Sequence, residues 1–278
     1  ATLKAVDEAA AEVGAEAFNY DDQVAKISVV GLGMATQPGV AEQMFRALAE
    51  RGINILMITT SEIKISVLMA RENAREALRA VHEVFGLDAQ RPEEAIGIHQ
   101  PAEVPCAAAS VDVVSRMQRM EDLIIEDISL DESQARLTMH RVPDTPGLAA
   151  QVFDEIAERG IVVDMIVQSI GREGQANLSF TVPQQDLQKS IALASELAAG
   201  FGAPPATHSP RVARLSVLGT GMRSHTSVAD RMFQSLAAAG INVEMISTSE
   251  VLLNVLVDGS QGRKGLEVLR AEFADVTL

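Results

Sequence analysis

Cysteine is almost absent from this chain of 278 residues, with Cys106 standing alone. No internal disulfide can staple the fold, and the expectation is a protein of a reducing cytoplasm. The neighbours of Cys106, VPCAAAS, bring no base, so it reads as an inert thiol in a connecting segment. Tryptophan is missing and Tyr20 is the only tyrosine, which leaves few platforms for stacking on bases or sugars. Cations are scarce: 23 Lys and Arg against 38 Asp and Glu give a net charge of −15. That charge repels phosphate backbones and excludes nucleic acid as a partner. No apolar run approaches a bilayer span, so no membrane partner is expected either. The start, ATLKAVDEAAAEVGAEAF, has neither the basic residues nor the apolar block of a signal peptide, and it lacks Met, so it reads as a fragment or processed chain. His82, His99, His140, His208 and His225 are scattered without metal-ligand spacing, so no metal site is expected.

What is present is a repeat. Residues 24–69, VAKISVVGLGMATQPGVAEQMFRALAERGINILMITTSEIKISVLM, return without a gap at 212–257, VARLSVLGTGMRSHTSVADRMFQSLAAAGINVEMISTSEVLLNVLV. About half of the positions are identical, so each copy is one supersecondary unit that must bury its apolar face on another. Residues 139–182, MHRVPDTPGLAAQVFDEIAERGIVVDMIVQSIGREGQANLSFTV, carry the same pattern more faintly. In the first copy, alternation over VAKISVV predicts a strand and Val40, Met44, Phe45 and Leu48 one helical face. Gly52 suits a left-handed helix cap, as do Gly160 and Gly240. INILMITTS and EIKISVLM read as two more strands and ENAREALRAVHEVF as a second helix. The methionines (Met34, Met44, Met57, Met222, Met232, Met245) read as core and interface filler.

The resulting order is the ferredoxin-like βαββαβ plan, an α+β fold of antiparallel sheets with helices on one face. Units of 65 to 75 residues, on the order of the smallest stable domains, need partners, and side-by-side pairing into a longer sheet is the expected remedy. The expected organisation is the end of a truncated unit at 1–20, a unit at 21–88, a linker at 89–112, and units at 113–205 and 206–278.

These residues resemble the ACT domains of aspartate kinases over nearly the whole chain. GLGMATQPGV with GINILMITTSEIKISV is similar to the second ACT unit of that family. VPDTPGLAAQVFDEIAERGIVVDMIVQS is similar to its first. The alternation of types resembles the duplicated regulatory region of cyanobacterial-type enzymes. In the family the two types interleave, so MEDLIIEDISL (120–130) is expected to lend a strand to the neighbouring unit. The Lys-Phe-Gly-Gly type segment that opens the family's kinase domain does not occur. The resemblance therefore implies a regulatory part without a catalytic one, with no catalytic residues and no cofactor; ATP and Mg would belong to the kinase domain. A free-standing ACT amino-acid sensor acting on a separate enzyme is the alternative. A dinucleotide site at Gly31-Leu32-Gly33 or Gly219-Thr220-Gly221 is rejected, since Thr36 and Ser224 replace the third glycine.

The resemblance implies an effector between a first-type and a second-type unit, commonly across a dimer interface, with lysine or threonine as ligand and a homodimer as assembly. In VPDTPG, Pro146 and Gly147 shape a tight turn before a helix whose first N–H groups, at Leu148 and Ala149, suit a carboxylate. Asp144, and Asp164 beyond Val162 on the next strand, suit an ammonium group; Gln168 both donates and accepts. In the second-type unit the matching positions are Val40, Ala41, Asn54, Ile55, Ser61 and Glu62. In the last copy they are Val228, Ala229, Asn242, Val243, Ser249 and Glu250, but Thr226-Ser227 replaces Pro-Gly there. Glu62 and Glu250 are the expected acceptors for a lysine ε-ammonium. The first-type unit before residue 21 is cut off, so a site shared with it is expected to be incomplete.

Overall fold

The computed structural model describes residues 2–15, 18, 20–31, 39–61, 64–87, 124–170, 174–220, 222, 227–249 and 251–277. After helix α1 (Thr2–Glu12) comes a unit of β1 (Val24–Val30), α2 (Val40–Glu50), β2 (Met57–Ser61), β3 (Lys64–Ala70) and α3 (Ala74–Val84). Strand β4 (Ile124–Asp131) precedes a second unit: β5 (Gln134–Pro143), α4 (Leu148–Glu158), β6 (Ile166–Ile170), β7 (Gln175–Pro183), α5 (Leu187–Gly200) and β8 (Thr207–Ser209). The third holds β9 (Val212–Thr220), α6 (Ser227–Ala238), β10 (Met245–Thr248), β11 (Leu252–Asp258) and α7 (Gly262–Glu272). All pairings between these strands are antiparallel, as the α+β reading requires, and one isolated bridge, Ile125↔Thr277, is parallel.

The first helix of each unit stops in the same way. Gly52, Gly160 and Gly240 take φ of 64°, 65° and 72°. Each donates to the carbonyl three residues back, and the isoleucine that follows donates to the carbonyl five back. This double closure satisfies the last carbonyls and drives Ile53, Ile161 and Ile241 into the core, at 2%, 2% and 4% exposure. The glycines are therefore caps, as their positions in the sequence predict.

The first two units join edge to edge. Ile58 of β2 pairs with Gln168 of β6 and Thr59 with Val167, giving a seven-stranded sheet in the order β1-β3-β2-β6-β7-β5-β8. Their helices share one core: Phe45 meets Phe153 at a ring distance of 5.5 Å, and Phe153 meets Phe180 at 5.7 Å edge-on. The third unit instead forms its own four-stranded sheet, β10-β11-β9-β4. Strand β4 pairs with β9 from Ile124↔Thr220 to Asp131↔Arg214, so the described part of the expected 120–130 strand is lent to the neighbouring unit. Reciprocally, β8 pairs with β5, so sheet membership crosses the boundary drawn near 206.

The two sheets meet face to face. Met165, Val212, Met245 and Leu256 form a small apolar cluster with Val167 against it. Ser247 Oγ donates to the Thr60 carbonyl, Arg136 bridges to Glu244 at 2.8 Å, and Arg214 pairs with Asp164. Met44 and Met232 are fully buried fillers, whereas Met57 is 43% exposed.

Candidate functional site

A bulge between Met139 and Val142 in β5 aims the chain at the first candidate loop. At the bulge, Arg141 takes a φ of 52°, and Asn177 Oδ1 accepts its N–H at 3.1 Å. The loop is then tied down by the Asp144 N–H donating to the Gly174 carbonyl at 2.8 Å. Gly147, at φ 91°, opens α4, and no side chain caps that helix. The Leu148 N–H donates to the Thr145 carbonyl at 3.3 Å, contrary to its expected role, so it is the N–H groups after it, from Ala149, with the positive pole of the helix dipole, that favour a carboxylate.

The β2–β6 pairing sets the second-type strand entry against this loop. Asn54 Nδ2 donates to Asp144 Oδ1 at 2.9 Å, and Gln168 Nε2 donates to the Ile55 carbonyl at 2.8 Å. A carbonyl only accepts, so the Gln168 amide is oriented with Oε1 as its other end. Gln168 is 4% exposed, and Oε1 has no hydrogen-bond partner. A buried acceptor without a donor is uncommon and marks a place where a donor belongs. Asn54, Ile55, Asp144, Gly147, Leu148, Ala149 and Gln168 line one cleft. Its free volume of about 10 Å³ holds roughly a single water.

An approximate two-fold exchange of the paired units generates a second cleft. Gly39, at φ 93°, opens α2 without a side-chain cap, as Gly147 opens α4. Ala41, Glu42, Thr60, Ser61, Val162, Val163 and Asp164 line a space of about 50 Å³. Thr60 occupies the place that Gln168 holds in the first cleft. Its Oγ1 donates to the Asp164 carbonyl at 3.2 Å and accepts from the Ile166 N–H at 2.9 Å. Burial raises the Glu42 carboxyl above its ordinary 4.5; Arg46 opposes that shift and Asp154 adds to it. The Glu42 carboxylate already pairs with Arg46, so a cationic ligand in this cleft would share that acid with Arg46 or displace it.

The positions predicted from sequence thus divide between two clefts. Asp144, Gly147, Leu148, Ala149, Gln168, Asn54 and Ile55 come together in the first; Ala41, Ser61, Val162 and Asp164 line the second. Val40 packs against the shared core beside them. The 139–182 loop faces the 24–69 unit of the same chain, and the carboxylates of Asp144 and Asp164 do not share a cleft. The Asp164 carboxylate is held by Arg214, which also approaches Asp131 at 3.4 Å.

The last copy stands apart from both clefts, in the four-stranded sheet. Val228 is buried in its core, Ala229 and Val243 pack on that core, and Asn242 is exposed. Ser249 serves its hairpin, accepting from the Leu252 N–H at 3.1 Å. Pro146 sits in the first loop, while Glu62, Glu250 and the 226 turn lie outside the described residues. Glu42, Thr60 and Arg214 were not singled out by sequence reasoning. An acid in a first helical turn reads as a dipole partner and a strand threonine as β-propensity, so only the fold exposes them. No helix among the described residues is long and apolar enough to cross a membrane.

With this geometry in place, the likeness to known proteins is specific. ACT domain profiles match residues 27–85 and 215–273, and a further ACT domain profile matches 136–199. The aspartokinase of Pseudomonas aeruginosa is 35% identical over 176 residues, 63% of this chain and 42% of that protein. The chain therefore spans about two fifths of such curated relatives. The crystal structure of aspartate kinase from Synechocystis superposes with a TM-score of 0.75 at 32% identity, covering 91% of this chain and 40% of that one. The regulatory subunit of aspartate kinase from Thermus flavus superposes with a TM-score of 0.51 at 34% identity, covering 54% of this chain and 99% of that one. Two unit types, paired edge to edge and interleaved with a third, are thus those of a regulatory ACT-domain region, and the chain belongs to the ACT-domain family of aspartate kinases.

Proposed function

We propose that this chain is the amino-acid-sensing region of an aspartate kinase, binding lysine or threonine between its paired ACT units to restrain phosphorylation of aspartate. The observation that carries the reading is the first cleft. A free α-helix N-terminus at Gly147, the Asp144 carboxylate and the unpartnered Gln168 Oε1 converge there. The ligand's carboxylate would take the N–H groups of the first turn of α4, and its ammonium would bind Asp144 and Gln168 Oε1. Entry requires the loop and the Asn54 segment ahead of β2 to separate, since the present space is the size of one water. The second cleft offers Glu42, and lysine's ε-ammonium is the ligand group that would use it.

Feedback follows if the ligand binds the two arrangements of the paired units with different affinity, a coupling typically of about 1–3 kcal/mol. A kinase domain of the same enzyme and a second copy of the chain are the partners this reading names; ATP and Mg belong to the kinase reaction. Isothermal titration with lysine and threonine, singly and together, tests it on the chain and on Asp144→Asn. The expected result is saturable binding, weakened by about ten- to hundredfold in Asp144→Asn, the cost of one charge-assisted bond. No heat with either amino acid, or unchanged affinity in the variant, refutes the assignment of this cleft.

A further inference from the structure

The second cleft is held from behind. Thr60 near the end of β2 and Asp164 just before β6 line it from the first and the second unit, as its two walls. Within the cleft Thr60 Oγ1 ties the walls, donating to the Asp164 carbonyl and accepting from the Ile166 N–H. Each wall is also gripped by the third unit. Ser247 Oγ of β10 donates to the Thr60 carbonyl, and Arg214 of β9 pairs with the Asp164 carboxylate. Met165, next in the chain to Asp164, is buried against Val212, Met245 and Leu256 of the third unit. The first cleft is closed differently: its bonds, Asn54 to Asp144 and Gln168 to Ile55, run between the first two units.

The seam through which this grip acts is weakly made. Its apolar part is the small cluster around Met165. On the strand faces that carry Val212, Met245 and Leu256, the third unit also presents Arg214, Ser216, Ser247 and Asn254. Asn254 is buried and its Oδ1 has no hydrogen-bond partner; Nε of Arg214 and of Arg136, the two arginines that bridge the seam, lacks one too. Polar groups buried without partners cost free energy that parting recovers. Joints between packed units move unless a large apolar area holds them.

We propose that the third unit is a releasable clamp on the second cleft: docked, it holds the Thr60 and Asp164 walls at their present spacing, and an amino acid that widens the cleft frees it. The space there is about 50 Å³, room for a few waters and too little for an amino acid, so an occupant must move a wall. Moving either wall pulls on the Ser247 or the Arg214 contact. Ligand and docking therefore oppose each other, and docking weakens binding by the same factor by which binding weakens docking. The first cleft, latched within the paired units, fills without this effect. Only the nature of the occupant rests on the reading proposed above; the clamp is a matter of the chain alone.

A wedge built into the full chain replaces the ligand in the test. Ala41→Leu adds an isopropyl group inside the second cleft, and Ala149→Leu adds the same group at the matching place in the first. Release is read by mass spectrometry as the rate at which hydrogen peroxide converts each methionine to its sulfoxide. Met165 and Met245 report the seam; the fully buried Met69 and Met232 report the two cores. Ala41→Leu should speed oxidation of Met165 and Met245 by about fivefold or more, the equivalent of one lost hydrogen bond, with Met69 and Met232 unchanged. Ser247→Ala should do the same from the other side of the seam, and Ala149→Leu should not. Should Ala41→Leu fail to fold, Ala41→Val is the smaller wedge. In the parent chain, saturating lysine should act as the wedge does. If lysine and threonine do not bind, the effector reading falls and the wedge result stands by itself. Seam methionines indifferent to the Ala41 wedge, equally sensitive to Ala149→Leu, or oxidised only in step with Met69 and Met232 would each overturn the clamp.

Discussion

Deleting Asp164 should loosen the third unit from the paired sheet rather than strip a ligand contact, because its carboxylate is spoken for by Arg214. Both side chains are 16% exposed, between a surface pair and a buried one. The second carboxylate, Asp131 at 3.4 Å from Arg214, gives a bare attraction of roughly 5 kcal/mol at an effective dielectric of about 20. Desolvation of three charges consumes most of such attractions: exposed pairs net about 0.2–1 kcal/mol, while breaking buried ones costs about 3–5. The intermediate burial, and the further interaction that Asp164 keeps, put Asp164→Ala and Arg214→Ala at about 2 kcal/mol each. In a double-mutant cycle read by urea unfolding, the pair should couple by about 1–2 kcal/mol, because either change alone already breaks the contact. Exchange protection should fall first in β9 and β10, whose faces meet the other sheet. Additivity within about 0.3 kcal/mol would show that the pair contributes nothing and refute the reasoning.

Two further outcomes follow from the same geometry. Phe153→Ala removes the ring that links the Phe45 and Phe180 cores; it should cost about 3–5 kcal/mol and, in a thermal melt, separate the unfolding of the first two units from that of the third. Glu42 has a native pKa raised above 4.5, so the native state holds this proton more tightly than the unfolded chain. Its contribution is therefore best below pH 4.5, declines as pH rises towards the native value, and is flat above it. The difference in urea midpoint between Glu42→Gln and the parent should grow across that window. A pH-independent difference would mean that Glu42 is not the titrating group.

The unit itself was legible because helix and strand periodicities differ and the repeat reports them three times over. The glycine caps could be read singly: a glycine followed by isoleucine, after an apolar helix face, has one physical use. What could not be read was which unit pairs with which. Strand edges carry the same backbone groups everywhere, so nothing local in MITTS or IVQSI says that β2 seeks β6 while β10 packs face-on. Asp164 shows the consequence. Read alone it looks like an ammonium acceptor, and only the packing of the third unit against the segment before β6 supplies the arginine that claims it.

The approximate two-fold symmetry of the paired units gives the two clefts one shape and different chemistry. Superposing the repeats sets Gln168 on Thr60, Asn54 on Val162 and Ala150 on Glu42. One cleft therefore places its carboxylate on the loop, at Asp144, with an orphan amide oxygen beneath it. The other places its carboxylate on the helix, at Glu42, over a threonine whose hydroxyl is fully used. A ligand with one ammonium near its carboxylate matches the first geometry, since Asp144 lies beside the free N–H groups of α4. A second, remote ammonium is what the displaced acid at Glu42 would reward. Under the proposed reading, differences at four matched positions, with Asp144 against Thr36 as the fourth, give the two clefts different preferences. Titration of Glu42→Gln with each amino acid separates them: lysine affinity should fall while threonine affinity stays.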